Sequence, residues 1–65
     1  MKSYSSREVI SILLQDGWYE LAHVGDHKQF KHPVKKGKVT VTHPVKTLQT
    51  RNLKSIEKQA GIILP

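Results

Sequence analysis

Residues 18–42, WYELAHVGDHKQFKHPVKKGKVTVT, hold three runs of strand-forming residues separated by two turn signals. The first run, Trp18 to Val24, ends at the turn pair Gly25-Asp26. The second, Lys28 to His32, has Phe30 as its inward anchor. Side chains alternate along a strand, so His27, Gln29 and Lys31 face away from Phe30. Pro33 ends this run and Lys35-Lys36-Gly37 makes a hairpin loop. Val39 and Val41 then alternate with Thr40 and Thr42 in a third strand, which Pro44 closes.

Upstream of this meander, Ser5-Ser6-Arg7-Glu8 spells a capping box, with Ser5 and Glu8 three residues apart. Val9, Ile10, Leu13 and Leu14 recur at helical spacing and Gly17 supplies a left-handed stop, which predicts a helix over roughly 6–16. Downstream, a linker runs from Val45 to Arg51. Asn52 then reads as the N-cap of a helix over about 53–60, with Leu53, Ile56 and Ala60 on one face and Gly61 as its stop. The expected fold is α+β in the order α-β-β-β-α. A three-stranded antiparallel sheet carries both helices on one face and leaves the other face wet. Residues 1–65 make one domain, with Trp18 in its core and Tyr19 unassigned.

A 65-residue chain has room for one small core and a shallow surface site. It has no cysteine, which removes disulfides and thiolate chemistry and suits a reducing cytoplasm. No run approaches the roughly 20 apolar residues needed to span a bilayer, and the N-terminus lacks a signal-peptide core. The expectation is a cytoplasmic protein without membrane contact. Charge says more. Eleven Lys and Arg against five Asp and Glu leave a net charge of +6. The excess is polarised: no acidic residue lies between Asp26 and Glu57, while Lys28, Lys31, Lys35, Lys36, Lys38, Lys46, Arg51 and Lys54 all do. Such a field attracts polyanions, nucleic acid first among them. Lys28, Lys31, Lys35, Lys36 and Lys38 are the candidate contacts to an RNA backbone. Lys54 and Lys58 read as a solvated helix face.

Four histidines, His23, His27, His32 and His43, crowd into this basic region. A zinc site needs three or four convergent ligands. These rings stand among cations without cysteine, and His23-x-x-x-His27 straddles a turn, so neither metal nor cofactor is expected. His23 reads as structural or incidental. His32 and His43 each precede a proline at a strand end, and both a capping and a chemical role stay open for them. Acid–base chemistry is the third reading. An imidazole can take and give a proton near neutral pH. RNA carries its own nucleophile, the 2′-hydroxyl, and nearby ammonium groups can stabilise charge gathering on phosphorus. His27 fits that task best: it follows a turn, faces away from the core and neighbours Lys28 and Lys31.

The residues Gly17-Trp18, followed by Val24-Gly25-Asp26-His27-Lys28-Gln29-Phe30-Lys31-His32-Pro33, resemble the Gly-Trp and Gly-Ser-His-x-x-Phe-x-His-Pro elements of the HicA toxin family. The resemblance continues through Lys38-Val39-Thr40-Val41-Thr42-His43-Pro44 and into Leu53-Lys54-Ser55-Ile56-Glu57-Lys58-Gln59-Ala60-Gly61-Ile62, in order and with matching spacings. It implies a double-stranded-RNA-binding-like fold, cleavage of messenger RNA, and neutralisation by a HicB-type antitoxin. The family's essential histidine falls on His27.

Three positions depart from the family pattern. Asp26 stands where serine is usual and sets a carboxylate beside the ring, where it can orient, tune or dampen it. Thr42 replaces a common proline, and Arg51-Asn52 a common Gly-Thr. The rival reading from another class is a non-catalytic RNA-binding module of the same fold, since duplex RNA is held through shape and phosphate contacts alone. DNA binding ranks lower, because the final helix is short and no helix-turn precedes it.

Overall fold

A computed structural model of the chain describes residues 2–65; Met1, counted above in the single domain, lies outside them. Helix α1 spans Ser6–Gln15, followed by β1 (Tyr19–Val24), β2 (His27–Lys31), β3 (Val39–Thr42) and α2 (Thr50–Ala60). The strands form one antiparallel sheet in the order β1-β2-β3. The α-β-β-β-α order expected from the meander and its flanking amphipathic runs is therefore the observed one.

The capping box at the start of α1 is closed on both sides. The Glu8 amide donates to Ser5 Oγ at 3.1 Å, and the Ser5 amide donates to Glu8 Oε1 at 2.8 Å. At the far end Gly17 turns the chain with φ +100°, and the next residue, Trp18, is buried. In the sheet, Phe30 pairs with Val39 and Lys28 with Val41. Cross-strand partners share a face, so Phe30, Val39 and Val41, all buried, form the inner face. They meet Val9 and Leu13 from α1 and Leu53, Ile56 and Ala60 from α2. Both helices thus lie on one side, packed over β3, with Phe30 of β2 in the core they share. They leave β1 uncovered, and none of its residues is buried. A bulge between Glu20 and Ala22 breaks its pairing with β2, as is common on edge strands.

The second helix begins earlier than expected. Its N-cap is Gln49, whose side chain makes no capping bond. Asn52 sits inside the first turn, its amide donating to the Gln49 carbonyl at 3.0 Å. Tertiary anchoring sets this start in place of a side-chain cap. The Leu48 amide donates to the Tyr4 carbonyl at 2.8 Å. Leu48 and Leu53, one residue before the cap and four after it, are both buried. This pair is a hydrophobic staple, and it places the chain before any cap residue is required. Gly61 does stop the helix, in the left-handed conformation. No helix among the described residues is long and apolar enough to cross a membrane.

Candidate active site at the first hairpin

The β1–β2 turn carries the site. Gly25 has φ +60°, a left-handed value that glycine adopts without steric cost. The turn is tied to β3, because the His43 amide donates to the Asp26 carbonyl at 2.7 Å. His27 opens β2, opposite Val24 on one side and Thr42 on the other. By alternation it lies on the outer face of the sheet with Gln29, Lys31, Thr40 and Thr42, away from both helices. Its side chain is 59% exposed, and Nε2 stands 3.3 Å from Asp26 Oδ1. A ring so placed is open to a polymer passing over the hairpin.

The five lysines are not equivalent. Lys31 shares the outer face with His27, and Lys36 and Lys38 are exposed in the β2–β3 loop; none of the three has an ion-pair partner among the described residues. Lys28 lies on the opposite face from His27 and donates to Glu20 Oε1 at 2.9 Å. That bond is the chief reason the Glu20 carboxyl titrates below the ordinary glutamate range, with smaller Coulombic help from Lys28, His23 and His43. Lys35 reaches back across the molecule. Its ammonium donates to Asp16 Oδ2 at 2.6 Å and to the Ala60 carbonyl at 3.0 Å. It joins the ends of α1 and α2 to the β2–β3 loop.

The histidines separate in the same way. His32 is wholly engaged. Its Nδ1 accepts from the Val34 and Lys35 amides, each at 3.0 Å, which places the ring proton on Nε2, 2.8 Å from the Asp16 carbonyl. The ring also meets Trp18 edge-on, with centroids 5.2 Å apart. His32 is thus a structural residue. His23 is exposed on β1, and its side chain makes no hydrogen bond among the described residues. His43 is half-buried, and its Nδ1 lies 2.7 Å from Ser6 Oγ. Ser6 is 1% exposed and also accepts from the Val45 amide at 2.9 Å. Its hydroxyl fixes the His43 ring against the start of α1. Among the described residues no three His, Asp or Glu side chains gather as a metal would require.

Taken together, these features describe a small basic α+β module that presents an open imidazole on the uncovered side of its sheet, with unpaired cations there and in the β2–β3 loop. The chain belongs to the HicA toxins of bacterial toxin–antitoxin systems, whose family pattern it matches over residues 6–62. It is a toxin of that class, and membership implies an antitoxin partner. Among curated proteins none matches the chain.

Proposed function

We propose that this toxin is a metal-independent endoribonuclease that cleaves messenger RNA in the cytoplasm, with His27 as its proton-transfer residue and a HicB-type antitoxin as its inhibitor. The observation that carries the reading is the placement of His27. It is exposed at the hairpin, on the face free of helices, with a carboxylate 3.3 Å from one ring nitrogen. A carboxylate beside Nε2 favours the tautomer protonated there, as in other histidine–carboxylate pairs. Nδ1 then holds the lone pair that takes the proton of an RNA 2′-hydroxyl. The oxygen so freed attacks the adjacent phosphorus; as the new P–O bond forms, the bond to the 5′-oxygen breaks, that oxygen takes a proton from water, and the imidazolium returns its own to solvent. Lys31 at the far end of β2 and Lys36 and Lys38 in the loop beyond it supply cations that hold the RNA backbone at points away from the cleavage point. Lys28 and Lys35 reach a phosphate only by exchanging Glu20 or Asp16 for it.

The test is cleavage of a long RNA by the full chain in excess chelator. General acid–base catalysis contributes about 10²–10⁴-fold, so His27→Ala is expected to lose at least about a hundredfold in rate while keeping its circular-dichroism spectrum and melting midpoint. The same variant, expressed without antitoxin, should no longer arrest bacterial growth. Wild-type cleavage by His27→Ala in chelator would remove the assignment. A wild-type chain that binds RNA but neither cuts it nor slows growth is the non-catalytic module.

A further inference from the structure

Beside His43 the surface opens into a cleft of about 320 Å³, lined by Ser5, Ser6, Arg7, Pro44, Val45 and Lys46 as well as His43 itself. Among the described residues no carboxylate lines it. Glu8, the nearest acid in sequence on α1, is folded back onto the Ser5 amide at 2.8 Å. Arg7 and Lys46 are exposed, and neither has an ion-pair partner among the described residues. Other charges around His43 sit on β1 and β2, where Glu20 is neutralised by Lys28 at 2.9 Å, and at Asp26, whose carboxylate faces His27 at 3.3 Å. The cleft is therefore a concave wall of guanidinium, ammonium and imidazole donors without a counter-charge. Such a set fits the tetrahedral oxygens of a phosphate, with arginine offering a planar fork and lysine a point charge. The ring is held in place by the buried Ser6 hydroxyl at 2.7 Å, so Nε2 is the nitrogen left for a ligand. The cleft also adjoins the hairpin site. His43 bonds the Asp26 carbonyl at 2.7 Å, and its chain neighbour Thr42 pairs with His27.

We infer that the Arg7–His43–Lys46 cleft is a second phosphate-binding site, occupied by a backbone phosphate of the RNA strand whose cleavage point lies at His27. The assignment to RNA rests on the nuclease reading. The strand runs from the outer face of the hairpin around the end of the sheet to the start of α1, and the cleft fixes its register.

The probe is a short RNA with every 2′-hydroxyl methylated, which the wild-type chain can bind but not cut; inorganic phosphate is the second arm. Side-chain resonances of His43 are expected to move on binding the methylated RNA, and with inorganic phosphate only at far higher concentration. Arg7→Ala and Lys46→Ala, both at exposed positions, should each weaken RNA binding roughly three- to tenfold. Each should also reduce the slope of log affinity against log salt by about 0.7, the value for one phosphate on a single strand. Lys54→Ala on α2 should change neither. If the methylated RNA binds and shifts His27 while His43 stays still and both cleft variants bind as wild type does, the cleft is no subsite and the nuclease reading survives. If inorganic phosphate moves His43 but the RNA does not bind, the RNA assignment is wrong and the nuclease reading fails with it. Silence in both arms overturns both.

Discussion

Gly17 sits at φ +100°, and a Cβ added there would lie 2.8 Å from His32 Nε2. Two independent obstacles therefore meet at one position, an unfavourable backbone and a ring with nowhere to go. The ring cannot retreat, because both of its nitrogens are bonded to backbone and it packs against Trp18. Gly25 offers the control. Its φ is +60° and nothing lies within 4 Å of an added Cβ, so only the left-handed backbone cost of about 1–2 kcal/mol applies. Gly17→Ala is expected to cost about 3 kcal/mol or more, combining backbone strain with disruption of a packed hydrogen-bonded ring. Urea denaturation of the two variants measures the difference. Equal losses would mean that His32 does not clamp the end of α1. The Gly-Trp pair that the sequence displays is thus a packing device, built so that a histidine fifteen positions further on can close over the glycine.

Among the elements, the strands were legible and the second helix only partly so. Alternation about Phe30 and the Val-Thr repeat define which faces are inner and outer, and they suffice to put His27 in solvent. The sequence points to Asn52 as the start of α2 because a good capping residue lies there beside the first apolar position. The true start is decided by Leu48, which is anchored to the Tyr4 backbone far away in sequence and staples to Leu53. Residue preferences at a helix end do not reveal a partner more than forty residues distant. The lysines show the same limit: charge alone does not separate Lys28 and Lys35, which meet Glu20 and Asp16 through the sheet register and the packing of the helix ends, from Lys36 and Lys38, which have no ion-pair partner among the described residues. A direct consequence concerns α2. Leu48→Ala should cost about 2–3 kcal/mol, as for other buried leucines. Asn52→Ala should stay within about 0.5 kcal/mol, the usual range for an exposed position. Chemical denaturation with helix content as the signal would compare them, and a larger loss for Asn52→Ala would restore it as the cap.

At the scale of the whole molecule, three of the five side-chain carboxylates are held below their ordinary range by native hydrogen bonds, which ought to make the fold sensitive to acid. Glu8 closes the α1 cap and titrates below its ordinary range, mainly because the Ser5 amide donates to it. Asp16 is lowered chiefly by the Lys35 ammonium, then by the Trp18 indole, and it links α1 to the loop that reaches α2. Glu20 is lowered by Lys28 and joins β1 to β2. Each carboxyl holds its proton less tightly when folded than when unfolded, so the native state binds fewer protons and stability rises with pH across the interval between the two values. This contribution is complete above the unfolded values of about 3.9 for Asp and 4.3 for Glu, and it is lost as pH falls through the lowered folded ones. Self-repulsion acts in the same direction, since a chain already at +6 loses compensating negative charge as these carboxylates are protonated. Salt separates the two causes, because screening relieves repulsion between exposed charges but does not restore a hydrogen bond to a protonated carboxyl. The melting temperature is therefore expected to drop between pH 5.5 and pH 3, with added salt at pH 3 recovering only part of the loss. Asp16→Asn, which keeps the shape and cannot titrate, should lower stability at pH 5.5 and shrink the drop. A variant curve running parallel to wild type would show that the Lys35–Asp16 tie contributes nothing to holding the helix ends together.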